Sequence, residues 1–273
     1  MLNRLAWVLM GVVLLVWSTA ASADSIVFHF NEGTSFSSSL WWSDSLAGKG
    51  GSNTGAEPGI VKLSPKTVDW YFPAALFYAD LPDNLAGATI NSASFIVKES
   101  WNDLAPTGVQ LVRINSPVMW VPGSGAAGNR WTIPDNGVQR LFANWTGTTG
   151  AGSGVNWAGN VVDWATGTGA GTRTEFDSVV GDVIGTQDIV QNSFTTYDVK
   201  SLIENWADGT WANKGFALWT ADRTTGLTVE LMTTLGTTGL FIDYTVAAVP
   251  EPSTWLLLAA GLPGLGWLRR RRA

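Results

Sequence analysis

Along the chain, apolar positions recur every second residue in short runs separated by Gly, Asn, Asp and Pro. A period of two is the signature of half-buried strands. It predicts strands at 25–30, 67–72, 75–79, 89–98, 108–114, 138–143, 194–198, 215–220, 227–233 and 240–246. The last run is the clearest. Leu240, Ile242, Tyr244 and Val246 face one way, and Phe241, Asp243 and Thr245 the other, so a slip of one residue would turn the apolar face outward. One segment follows the helical period instead. Val199, Leu202, Ile203 and Trp206 form a single stripe, with Asp198 placed to cap its start and Gly209 just past its end. Many short strands and one helix predict an all-β fold, an antiparallel sandwich or barrel. The stretch 115–191 is thinly patterned, and ten glycines fall within 147–185. A stretch of that length is either a functional loop or a set of strands with a weak pattern.

The two ends carry different signals. Residues 1–23 combine a basic start (Arg4), an apolar core from Leu5 to Trp17 and the small-residue site Ala21, Ser22, Ala23. This predicts a secretory signal peptide cut before Asp24. At the other end stand Pro250, Glu251, Pro252 and Ser253, an apolar run from Trp255 to Leu268, and the cluster Arg269, Arg270, Arg271 and Arg272. The apolar run has 14 residues. As a helix it would span about 21 Å, against a hydrocarbon core of about 30 Å. Pro263 also interrupts it. Such a plug suits a signal that halts in the membrane and is then read and removed, with the arginines held on the cytoplasmic side.

Those four elements in that order resemble the PEP-CTERM sorting signal. The resemblance implies processing by an exosortase, an intramembrane transpeptidase-like enzyme, and transient residence in the inner membrane. It also implies a Gram-negative-type cell, with the envelope, outer surface or extracellular matrix as destination. The expected organisation is a signal peptide at 1–23, a β domain at 24–248 and a sorting tail at 249–273.

Composition narrows the partners. The 273-residue chain has a net charge of −6. Arg4 and the terminal arginines are five of the 16 basic residues, whereas all 22 acidic residues lie between Asp24 and Pro252; that region holds 11 bases against 22 acids, a net of −11. Such a body repels nucleic acid and anionic lipid. There is no cysteine, so disulfides, thiol nucleophiles and thiolate metal sites are excluded. The single histidine, His29, sits in an apolar strand pattern and is read as an ordinary strand position rather than a catalytic base.

Two blocks in the body resemble the DNRLRE-type domain of bacterial extracellular proteins. One runs from Ala75 through Asp80 and Leu81, then from Leu85 to Phe95; the other from Tyr197 through Trp206, Asp208 and Gly209 to Asn213, Gly215, Phe216 and Leu218. The resemblance implies an antiparallel jelly-roll β-sandwich and a family with carbohydrate-binding members. The family's "R-F-D-L" core is changed here: Tyr78 and Ala79 replace its arginine and phenylalanine, and Ala74 stands at an earlier arginine position. What remains of the motif is apolar pattern and turn residues.

Candidate chemistry follows from this. Twelve tryptophans remain when Trp7, Trp17, Trp255 and Trp267 are set aside. Indoles stack on sugar rings but also fill cores; Trp145, Trp157 and Trp164, in or beside the glycine-rich stretch, are the candidates for glycan stacking. Trp41 and Trp42 are neighbours, so on a strand they would point to opposite faces. A glycosidase would need paired carboxylates. Glu99, Asp103, Asp163, Glu175, Asp177, Asp182 and Glu204 are available, but their spacing singles out no pair, and no catalytic residue is assigned. No cofactor is expected; Glu175, Asp177 and Asp182 could join Asp163 in a Ca²⁺ site. The sequence therefore predicts an exported, exosortase-sorted protein whose non-catalytic sandwich associates with exopolysaccharide. The alternatives are a purely structural envelope or biofilm component and a polysaccharide-modifying enzyme.

Overall fold

The computed structural model describes residues 22–30, 36–43, 60–63, 70–101, 108–121, 136–139, 142–148, 151–163, 176–190, 192–219, 229–232 and 238–246. Of the segment 1–23 predicted as a signal peptide, residues 1–21 lie outside them, as does the predicted sorting tail. The strands are β1 (Ser22–His29), β2 (Phe36–Ser43), β3 (Ile60–Leu63), β4 (Trp70–Tyr78), β5 (Thr89–Trp101), β6 (Val109–Ile114), β7 (Asn136–Gln139) and β8 (Phe142–Thr148). They continue with β9 (Ala151–Asn156), β10 (Val161–Asp163), β11 (Val180–Gln187), β12 (Phe194–Asp198), β13 (Phe216–Trp219), β14 (Val229–Met232) and β15 (Gly239–Val246), and one α-helix, α1 (Lys200–Ala207), follows β12.

All the strand pairings are antiparallel. A six-stranded sheet is built around β5. Ile96 of β5 pairs with Thr196 on one flank and Gly239 on the other, and Lys98 with Phe194 and Met232. A residue has only two flanks, so β14 and β15 run in succession along the side of β5 opposite β12. β1 pairs with β15 along its whole length, from Ser22 opposite Val246 to His29 opposite Gly239. The chain therefore enters β1 and leaves β15 at the same end of the sheet. A five-stranded sheet has the order β11-β6-β13-β4-β2, and a four-stranded sheet the order β10-β9-β8-β7.

The first two sheets close on a shared core, a sandwich arrangement. Phe95, Val97, Leu240 and Ile242 from one meet Phe77, Leu111, Phe216 and Leu218 from the other. Its centre is a knot of phenylalanines. Phe77 and Phe95 have centroids 4.8 Å apart, Phe95 and Phe216 4.7 Å, and Phe30 and Phe77 5.0 Å, all edge-on. Such pairs add about 0.5–1.5 kcal/mol each beyond area burial. The helix contributes Leu202, Ile203 and Trp206 to the same core, as its stripe predicts. Asp198 acts one position earlier than a true N-cap: Val199 is the capping residue, and the Lys200 N–H donates to Asp198 Oδ1 at 2.9 Å. Gly209 ends the helix at φ +77.

The five-stranded sheet is covered on its other face as well. Ala74, Leu76, Val112, Ile114 and Ala217 pack beneath Trp120, Trp157, Phe176 and Val179 in a second core. Burial on both faces removes alternation, which is why β4 and β13 read as nearly continuous apolar runs.

Three expectations change. The strands predicted at 67–72 and 75–79 are one strand, β4, with Pro73 inside it. Leu40 pairs with Ala74 but Trp42 with Tyr71, so β4 carries an extra residue at that point. A bulge is where a strand tolerates a proline, which has no N–H to donate. It also puts an irregularity of register at Trp41 and Trp42, where simple alternation was expected. The strand predicted at 138–143 is two, β7 and β8, with Gln139 opposite Phe142. The glycine-rich stretch, finally, contains β9, β10 and most of β11, which resolves the choice between loop and strands in favour of strands over those residues.

Candidate functional site

The three candidate tryptophans have different fates. Trp157 sits in the turn between β9 and β10, which Asn156 organises: its Oδ1 accepts from the N–H groups of Ala158 (3.0 Å) and Asn160 (2.8 Å). Gly159 supplies φ +84, a left-handed conformation that suits glycine. The turn drives the Trp157 indole into the second core. It is 0% exposed, edge-on to Phe176 at 5.1 Å, and Ser116 Oγ donates to its carbonyl at 3.0 Å. An indole so placed has no open side for a sugar. Trp164 lies outside the described residues. Trp145 lies on β8, with Gly137 opposite on β7 and Gly154 opposite on β9. Directly paired residues share a face of the sheet, so both lateral neighbours of Trp145 lack a side chain.

Among the described residues the acidic candidates form no metal-holding group. Asp182 Oδ2 accepts from Arg113 Nε at 3.1 Å and Nη2 at 3.0 Å. Arg113 Nη1 also donates to Asn115 Oδ1 at 3.2 Å, and the guanidinium lies 4.4 Å from the centre of the Trp211 ring. Asp182 is therefore half of an ion pair. Glu204 pairs with Lys200 at 3.7 Å on the exposed side of α1. Glu99 lies on β5 opposite Leu231, and Asp163 ends β10 opposite Ser153. Asp177 lies in the 3-10 turn before β11. Asp103 and Glu175 are outside the described residues. Among the described residues no group of three or more His, Cys, Asp or Glu is placed to hold a metal. His29 is half-buried on β1, and its Nδ1 makes no hydrogen bond within the protein. Among the described residues no carboxylate holds its Nδ1, as a catalytic triad would require.

The body motifs have clear local duties. Asn213 Nδ2 donates to the Ala79 carbonyl at 2.8 Å, and its Oδ1 accepts from the Gly215 N–H at 3.0 Å. This side chain fastens the start of β13 to the end of β4. Tyr78 donates to Asp80 Oδ1 at 3.4 Å. Burial, and then the Asp80 charge, push the Tyr78 hydroxyl above its ordinary pKa. Tyr197 donates to the Val109 carbonyl at 3.2 Å, bridging the two sheets. Sequence reasoning missed the Arg113–Trp211 stack, because residues nearly a hundred positions apart leave no local signal.

Among the described residues no helix is long and apolar enough to cross a membrane. No curated protein matches the chain. Residues 248–272 match the PEP-CTERM protein-sorting motif, beginning two residues after β15 ends at Val246. The resemblance read from the tail is thus independently found. The motif makes this chain an exosortase substrate, exported and sorted to the cell envelope or surface.

Proposed function

We propose that the protein is a surface or matrix component of a Gram-negative-type envelope that associates with exopolysaccharide through a non-catalytic, DNRLRE-like jelly-roll at 24–248. The setting of Trp145 carries this reading. Its direct partners on the two neighbouring strands, Gly137 and Gly154, are glycines, and a tryptophan at such a sheet position is the residue type that stacks on a sugar ring. The acidic body favours a neutral polymer over a polyanion. The absence of a carboxylate pair in the spacing, and the engagement of Asp182 and Glu204 in ion pairs, favour binding over hydrolysis.

The test is affinity electrophoresis of the purified body in gels containing the producing cell's own polysaccharide. Retardation that falls in Trp145→Ala, with the fold intact, supports the reading. Free migration at every polysaccharide concentration refutes it. A second reading, a structural component with no ligand site, is favoured by the burial of Trp157, and free migration is what it expects. Release of reducing ends from the polymer, abolished by a single carboxylate change, would replace both with an enzyme.

A further inference from the structure

The outer face of the six-stranded sheet carries an aromatic shelf. Alternation along β1, β15 and β12 turns Val27, Phe241 and Phe194 outward, and they are 45%, 38% and 54% exposed. Val27 pairs directly with Phe241, and His29 with Gly239. Gly239 and Phe241 share a face of β15. A Cβ at Gly239 would stand 3.1 Å from Cε2 and 3.3 Å from Cζ of Phe241. The ring therefore reclines along its strand over the glycine instead of standing up from the sheet. Polar groups continue the same face of the sheet beyond Phe241, on the side away from Gly239. Ser92 Oγ donates to Asp243 Oδ2 at 2.8 Å, and Asn91 Nδ2 donates to Thr245 Oγ1 at 2.9 Å, both pairs exposed. On the other side Lys98 lies over Phe194, its Nζ 5.5 Å from the ring centre.

We propose that this shelf is a stacking site for a neutral glycan. The apolar C–H side of a pyranose would lie on the Phe241 ring, with the next sugar of the polymer donating a hydroxyl to Asp243. An exposed apolar surface beside a few fixed polar groups is the ordinary make-up of a ligand site. Charge selects the ligand. Asp243 stands two residues from Phe241 on the same strand face; its carboxylate accepts from sugar hydroxyls and repels uronates and sulfates. This inference rests on the exopolysaccharide reading and gives it a second site, distinct from Trp145.

The same electrophoresis tests it, with polysaccharide from the producing cell as the probe. Phe241→Ala should weaken retardation at least tenfold, Phe241→Trp should preserve it, and Asp243→Asn should weaken it severalfold. The thermal midpoint of each variant checks the fold; if Phe241→Ala does not fold, the other two variants carry the test. Unchanged retardation in Phe241→Ala, or stronger retardation in Asp243→Asn, overturns the shelf while leaving the broader reading standing. A wild-type protein that migrates freely overturns both.

Discussion

Gly215 lies against the carbonyl oxygen of Phe77 so closely that a Cβ there would collide with it, and its φ is +83. Two independent demands thus fall on one residue. A left-handed backbone costs a non-glycine about 1–3 kcal/mol, and overpacking against fixed backbone adds about as much again. Gly215→Ala should therefore lose about 2–6 kcal/mol of stability, read as a lowered urea midpoint. Wild-type stability would contradict the close approach.

Tyr197 is buried, and its hydroxyl is held well above the ordinary tyrosine range, by desolvation first and by the Asp188 charge second. The sign follows from linkage. Above about pH 10 the unfolded chain releases this proton while the folded chain keeps it. Stability is then fully present below that pH and falls above it, by up to about 1.4 kcal/mol per pH unit for one group. Urea midpoints at pH 8, 10 and 11 should fall more steeply for wild type than for Tyr197→Phe. The same variant should cost about 1–3 kcal/mol at neutral pH, because the Val109 carbonyl loses its partner. Parallel pH profiles would show that Tyr197 ionises freely.

Trp157 supports the fold through the second core. Trp157→Ala should cost about 3–5 kcal/mol. Polysaccharide retardation of whatever protein remains folded should be unchanged. A stable variant with lost retardation would reverse that assignment.

Arg113 and Asp182 should not respond equally. The Asp182 side chain is 58% exposed and that of Arg113 13%. An exposed pair contributes about 0–1 kcal/mol, so Asp182→Ala should cost little. Arg113→Ala also loses the stack on Trp211 and the packing of its stem, for a cost of about 1–3 kcal/mol. Thermal midpoints of the two variants give the order; equal losses would mean that the ion pair alone matters.

Much of this could be read from the pattern, and the failures have physical causes. The run 194–198 matches β12 residue for residue, and the stripe from Val199 to Trp206 predicts α1 because all four of its members enter one core. Pro73 looks like a break because a bulge depends on the partner strand, β2, which the local pattern does not contain. β9 reads Ala-Gly-Ser-Gly-Val-Asn and has almost no side-chain alternation to detect; its pairing with β8 and β10 defines it. The centre of the shared core is phenylalanine, and Trp120 and Trp157 fill a second core that only the assembled sheet creates. The candidate site was legible only at Trp145. Phe241 reads as one outward position among many until Gly239 is seen beneath it.

The tail match predicts processing. Replacing Pro250, Glu251 and Pro252 together with alanine should leave the exported protein with its C-terminal segment uncut. Intact mass of the envelope-associated protein measures this. A mass showing loss of the tail in that variant would separate cleavage from the motif.

The pairing of Asp24, the first residue of the predicted mature body, with Tyr244 has a mechanical corollary. Tension applied across the two ends of the body would fall first on that single terminal rung and peel β1 from β15 one hydrogen bond at a time. It would not load the whole ladder in shear. A domain held at both ends would thus be easy to unzip, whereas one held by its tail alone would carry no load through the sheet.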